Sequence, residues 1–348
     1  MITVLQPGAL STIQDKGRAD YMAFGLPRAG VMDRVAAHFA NLLCGNPLGA
    51  AVIEMTLMGG TFRFEKSCRI ALCGADMSPR LNGAVMEAWA ARDVAAGDVL
   101  ETGYASRGCR TYLAVGGGID VAPVMGSRST YIRANLGGHE GRALRVGDCL
   151  QVGETSLFST TPARLPAALI PDYPDQIALR VILGPQDEMF LPEGISTLLS
   201  AEYRVSEEAD RMGYRLEGPE IRHKDKADIV SDALGAGAIQ VPGSGQPIVM
   251  MADCGTTGGY AKIAAVIGAD LWKLAQAKPQ DAVRFVRCTD AEAVAALAAE
   301  RESYLEAARW IRSGGGSLGG SGGRRMQLKI QDQEYQIEIE EVKTDEND

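Results

Sequence analysis

An eight-residue phrase occurs twice in the first half of the chain and fixes much of what that half can be. Ala96-Gly97-Asp98-Val99-Leu100-Glu101-Thr102-Gly103 recurs as Val146-Gly147-Asp148-Cys149-Leu150-Gln151-Val152-Gly153. A Gly-Asp turn, a short strand and a second glycine build consecutive edges of a sheet or barrel, not a helix. The two aspartates read as turn-formers rather than catalysts. Nearby, Phe62-Arg63-Phe64 and Arg69-Ile70-Ala71-Leu72 are short apolar or alternating runs, and Asn82-Gly83 sits where a tight hairpin turn wants it.

Helices are the exception. Residues 32–44 place Val35, Ala36, Phe39, Leu42 and Leu43 at helical spacing, with Asp33 near the start to complement the dipole and Gly45 as the stop. His38 on this helix reads as a packed or surface histidine. Residues 289–311 form a second helical stretch, opened by the capping box Thr289-x-x-Glu292. The Pro- and Ala-rich residues 161–174 predict a domain boundary, followed by a strand over 177–183 and the polar Gly184-Pro185-Gln186-Asp187-Glu188.

Residues 313–323 are almost pure Gly and Ser, a flexible linker whose accidental Gly-x-Ser-x-Gly and Gly-x-Gly-x-x-Gly matches carry no chemistry. The tail then alternates as one amphipathic hairpin, with Asp332-Gln333 as its turn. The expected organisation is mainly β with some α, in two domains: 1–160, and 175–312 including the last helix. A linker at 313–325 and an acidic hairpin at 326–348 follow.

The net charge is −9, of which the tail from residue 326 contributes eight acids against two lysines. Nothing forms a basic nucleic-acid footprint. No window of 18 uninterrupted apolar residues exists and the first residues lack signal-peptide character, so the expectation is a cytoplasmic protein without a membrane span. Seven cysteines without a Cys-x-x-Cys pair read as buried reduced thiols, Cys68 and Cys149 among them. The three histidines have no metal-ligand spacing, so no metal is expected.

The chemistry concentrates in residues 211–219 and 237–247, the latter leading into Thr256-Thr257-Gly258-Gly259-Tyr260-Ala261-Lys262. Such a run of Gly, Pro, Gln, Thr, Tyr and Lys is not expected as an ordinary helix or strand and reads as a binding loop. The expected catalytic set is Lys262 as a cation, Tyr260 as a hydroxyl, and Asp187 as a base or simply a turn residue. Substrate binding falls to Thr256, Thr257, Gly258 and Gly259 as an anion nest. Gln186 and Gln240 offer donor and acceptor to an amide. Arg211 and Arg215, flanking Tyr214, would clamp a carboxylate. Asp15 and Arg18 follow a strand and read as residues at a contact between subunits. No P-loop is present.

Several motifs carry a resemblance. Gln6-Pro7-Gly8, Ser11-Thr12-Ile13-Gln14-Asp15-x-Gly17-Arg18, Gly25-Leu26-Pro27, Gly30-Val31-Met32-Asp33, Ala114-Val115-Gly116-Gly117-Gly118-Ile119-Asp120 and Gly126-Ser127-Arg128-Ser129-Thr130 resemble the KipA/PxpC family. The likeness continues through Gly184-Pro185-Gln186, residues 211–216 and residues 237–262, and covers about residues 1–300. Proteins of this family serve as one subunit of ATP-dependent 5-oxoprolinase and are related to the carboxyltransferase domain of urea carboxylase.

The resemblance implies a cyclophilin-like β-barrel architecture working with a KipI/PxpB partner. With PxpA as third subunit, ATP used through the complex would open 5-oxoproline to L-glutamate, the chain being inactive alone. It leaves two alternatives behind this favoured reading: a carboxyltransferase subunit taking CO₂ from carboxybiotin on a separate biotin carrier, or a regulatory KipI-binding protein. The tail is similar to the leading hairpin of a biotin carrier domain but has no attachment lysine motif. It is expected to be a vestige or a docking element, with no biotin attached to this chain.

Overall fold

The computed structural model describes residues 1–154 and 163–314, together with the backbone of residues 324–330 and 333–339. The repeated phrase is a structural repeat. In each copy the glycine takes a left-handed φ (Gly97 93°, Gly147 88°). The aspartate carboxylate then accepts the backbone N–H three residues back, from Ala95 at 2.8 Å and from Arg145 at 2.7 Å. The strands that follow, Val99–Glu101 and Cys149–Leu150, pair with Thr61–Phe64 and Ile2–Gln6. Those two strands pair with each other at the centre of a six-stranded sheet. The aspartates shape turns, as their context predicts. The Asn82-Gly83 hairpin forms too, with φ of 51° and 79° at its two turn residues.

A five-stranded sheet of Leu10–Gln14, Val52–Thr56, Arg107–Val115, Cys68–Asp76 and Ala91–Val94 packs one face on the first sheet. Its other face is covered by helix α1 (Arg34–Leu43). With both faces buried, Arg107–Val115 reads as an almost unbroken buried run. Asp33 is the N-cap of α1, its Oδ1 accepting the Ala36 N–H at 3.0 Å.

Residues 176–287 hold a closed seven-stranded barrel. It is antiparallel except where Gln176–Leu183 runs parallel to Ala282–Arg287. Its interior is apolar: Leu179, Val181, Tyr203, Leu216, Ile239, Val249, Ile263 and Phe285 are buried. Two short helices, α2 (Pro192–Ser200) and α3 (Leu271–Ala275), flank it. The last helix, α4 (Asp290–Arg312), has the predicted capping box but packs back on α1. There Arg34 forms a bidentate pair with Glu300 at 2.7 and 2.6 Å, and Tyr304 meets Phe39 edge-on at 5.3 Å. His38 packs against Tyr304 at 5.0 Å, and burial pushes its pKa down to about 4.

Two expectations need correction here. The block 237–262 is not irregular: it contains strands Ala238–Gln240, Ile248–Met250 and Thr257–Tyr260, and runs into Lys262–Val266. Strands of three to five residues leave room for Gly and Pro at their joints. Cys149 is exposed, because the two-residue strand carrying it lies at the sheet edge with its side chain outward. Cys68 is half-buried, and Cys44, Cys73, Cys109 and Cys254 are buried free thiols. In the tail, Arg324–Ile330 and Gln333–Ile339 pair as an antiparallel ribbon. The Gly/Ser run at 315–323 and the first turn residue, Asp332, lie outside the described residues.

Candidate functional site

A groove of about 830 Å³ runs along the outer side of the barrel strands Gly213–Glu217 and Ile248–Met250, with Arg133 of the first half on its rim. Arg215, Gln240, Tyr260 and Ser244 bring polar groups to it, and Ile248 and Met250 bring apolar surface. Gln240 is almost wholly buried, its Nε2 donating to the Tyr260 carbonyl at 3.3 Å. Gly258 makes this possible, since a Cβ there would come within 2.4 Å of Gln240 Nε2. The two arginines already face acids, Arg215 Nε to Glu208 at 3.2 Å and Arg133 Nη2 to Asp210 at 3.8 Å. Glu207 and Glu217 add further negative charge to the walls.

A second cluster gathers on Lys262. Its Nζ donates to Asp232 Oδ2 at 2.7 Å and to the Ala233 carbonyl at 3.2 Å. Gln186 closes the set, Nε2 donating to Asp232 at 3.2 Å and Oε1 accepting the Lys262 N–H at 3.2 Å. Lys262 is covered while Asp232 stays half open, at 7% and 50% side-chain exposure. The hydrogen bond from Lys262 holds the Asp232 carboxyl below the usual carboxylate range.

The other expected residues lie elsewhere. Thr257, Gly258 and Gly259 form no anion nest, because Thr257–Tyr260 is an extended strand paired with Asp228–Ala233. Gly258 and Gly259 lack the positive φ that turns successive N–H groups to one side. The Thr256 carbonyl accepts the Leu234 N–H at 2.9 Å. Asp187 opens the turn Asp187–Met189, outside the groove lining. Tyr214 is buried, its hydroxyl accepting from Arg110 Nη1 at 2.6 Å and donating to the Ala277 carbonyl at 3.3 Å.

Arg211 is no ligand clamp. Its fork is spent on Asp253 (2.9 Å twice), on Glu54 (2.5 Å) and on the Gly30 carbonyl (2.7 Å). Together with Arg110, whose Nε lies 3.9 Å from Glu54, it makes a buried ionic seam joining the five-stranded sheet to the barrel. Reading the sequence missed Glu54, Arg110 and Asp253. The available signal was a charge inside an otherwise apolar strand, as in Val52-Ile53-Glu54-Met55 and Cys109-Arg110-Thr111-Tyr112.

Asp15 and Arg18 are not surface contacts either, at 7% and 2% exposure. Two serines reach across to Asp15: Ser127 and Ser129 each donate to its Oδ1 at 2.6 Å.

Residues 24–287 match the family described as carboxyltransferase domain, subdomain A and B. The chain belongs to that family. Within the carboxyltransferase-domain family it is 36% identical to a 5-oxoprolinase subunit of Escherichia coli, over 89% of this chain and 98% of that protein. It is also 35% identical to a urea amidolyase of Lachancea kluyveri, over 81% of this chain but 17% of that protein. The crystal structure of the Kluyveromyces lactis urea amidolyase superimposes with a TM-score of 0.84 at 30% identity, covering 88% of this chain and 20% of that one. The family and the structural likeness agree with the mainly β fold and its closed barrel.

Proposed function

We propose that the chain is the PxpC-type subunit of an ATP-dependent 5-oxoprolinase, joined by KipI/PxpB-like and PxpA-like subunits and inactive without them. The observation that carries this reading is the 36% identity to a 5-oxoprolinase subunit of Escherichia coli, which runs across 98% of that protein. The overall change is the addition of water across the lactam C–N bond, giving L-glutamate, coupled to ATP and a second water becoming ADP and phosphate.

Resonance makes a lactam a poor electrophile, so the ring must be held by its amide and its carbonyl polarised. Gln240 suits the first task. It is buried at the groove wall and carries both a donor and an acceptor, matching a cyclic amide edge to edge. Tyr260 adds a hydroxyl at the same wall, and Arg215 supplies a cation for the ring's carboxylate by exchanging Glu208 for it. Gln186 with Lys262 and Asp232 positions the start of strand Lys262–Val266 behind Tyr260.

The groove does not fit a triphosphate. Glu207, Glu208, Asp210 and Glu217 outnumber its two arginines, both of which are paired. We therefore place the nucleotide on other subunits of the complex and derive no step through it. The same reading takes residues 1–160 and 175–312 as the two domains. It is supported by the six- and five-stranded sheets falling within 2–150 and the barrel within 176–287.

A carboxyltransferase role is the second reading, favoured by the likeness to urea amidolyase. A ureido ring is also an uncharged cyclic amide, so Gln240 would meet the same need. The test of the groove is steady-state kinetics of the assembled complex with Q240A and R215A. Loss of one or two hydrogen bonds to the ring predicts a KM for 5-oxoproline raised about tenfold or more. An unchanged KM in both variants would remove the groove from consideration.

A further inference from the structure

Arg18 is a buried cation without a full set of partners. Only its Nη2 is engaged, donating to the Ser129 carbonyl at 2.5 Å, while Nε and Nη1 are inaccessible and meet no acceptor among the described residues. Burial pulls its pKa below the usual arginine value, against the opposing fields of Asp15 and Asp253. Neither acid is hydrogen-bonded to it among the described residues. Asp15 accepts from Gly17 N, Ser127 Oγ and Ser129 Oγ on one oxygen and from Arg128 N on the other, at 2.6–2.8 Å. Asp253 is held bidentately by Arg211. Unmet guanidinium donors are costly to bury, and a fork with two free N–H-bearing edges matches a planar or tetrahedral oxyanion.

The chain next to Arg18 is lightly packed. Residues 19–26 form a loop closed at its base by Arg18 N–H to the Arg28 carbonyl at 2.8 Å. The two-turn 3₁₀ segment Ala19–Phe24 inside it buries no side chain, and Phe24 is 80% exposed. Gly17 and Gly25 flank the loop with left-handed φ of 81° and 82°. Opening it exposes no core. Exposed Lys16 and Arg28 beside it favour the approach of anions.

We infer that Arg18 is the anchor of an oxyanion-binding site beside the Ala19–Phe24 loop, taking a compact carboxylate or phosphoryl group. It deepens the oxoprolinase reading by giving an anionic reactant a second point of attachment apart from the groove. It rests on that reading only for the choice of 5-oxoproline as one probe.

The test is thermal unfolding of the full chain, wild type and R18M, at constant ionic strength in chloride, 5-oxoproline or inorganic phosphate. Methionine keeps the apolar stem and removes the unmet donors. R18M is therefore expected to match or exceed the wild-type Tm in chloride. Wild type is expected to gain about 4 °C when the anion stands a hundredfold above its Kd, and R18M to gain nothing with phosphate and less than wild type with 5-oxoproline, which also has the groove. A gain with 5-oxoproline alone identifies the substrate carboxylate; a gain with phosphate alone identifies a phosphoryl group. A lower R18M Tm with an undiminished anion response would overturn the inference and make Arg18 a structural residue. Should R18M not fold, phenylglyoxal labelling of wild type decides. Labelling of Arg18 that the anion blocks is expected, and an inert Arg18 overturns the site. Binding without oxoproline-dependent ATP turnover in the complex would sink the oxoprolinase reading and leave this site standing.

Discussion

Replacing Glu54 by Gln is the sharpest probe of how the barrel is held to the sheets. Glu54 is 1% exposed. Its Oε2 accepts the Met32 N–H at 2.9 Å, and its Oε1 accepts Arg211 Nη1 at 2.5 Å. A glutamine of the same shape must turn its NH₂ toward one of these donors. The seam then holds two buried arginines against the single charge of Asp253. Breaking a buried pair by removing one partner costs about 3–5 kcal/mol. Arg211 keeps Asp253, and Arg110 keeps Tyr214 and the Ala275 carbonyl, so the lower end applies, about 3 kcal/mol. In a chain of 348 residues that corresponds to a fall in Tm of about 4 °C. The control is E302A, which removes an exposed pair with Arg309 and should cost under about 0.5 kcal/mol. Differential scanning calorimetry compares the two. Equal, small losses would refute the seam as a structural joint.

Three further outcomes follow from single contacts. Burial of Asp33, only partly offset by Ala36 N–H, Gln276 and Tyr173, pushes its pKa up to about 6 from an ordinary 3.8. The folded chain therefore binds this proton more tightly than the unfolded chain. Asp33's contribution is fully present below about pH 4 and is lost, by about 3 kcal/mol at most, as pH rises through about 6. Urea midpoints of wild type minus D33N, measured across that window, should show this slope; a flat difference contradicts it. G258A should displace the Gln240 amide and reproduce the kinetic defect of Q240A, with the double variant no worse than either single; additive losses would uncouple them. A D98A and D148A pair should each lower stability by about 1 kcal/mol by stripping the same turn contact, with D148A worse because Arg142 also loses one of its two acid partners.

Much of the fold was legible because its signals are local. The Gly-Asp turns, the Asn82-Gly83 hairpin, the Thr289 cap and the α1 stripe each need only neighbours in sequence. The candidate site was legible only as a region. Arg211 and Arg215 lie four residues apart and look alike, yet one points into the seam and the other into the groove. That choice is set by pairing Gly213–Glu217 with Ile248–Met250 and by docking on Glu54, a residue 157 positions away. The same distance hid Asp232 as the partner of Lys262, and hid the serines that take Asp15 off the surface. Where a polar side chain ends up in this chain is a matter of register between strands far apart in sequence.

The central claim is tested most directly by turnover of the complex reconstituted from this chain with its KipI/PxpB-like and PxpA-like partners. Phosphate and L-glutamate are followed with and without 5-oxoproline, and with avidin present to sequester biotin. The account predicts equimolar phosphate and glutamate that require 5-oxoproline, are unaffected by avidin and are lost when this chain is left out. Turnover that needs bicarbonate and is abolished by avidin would contradict it and make the chain a carboxyltransferase.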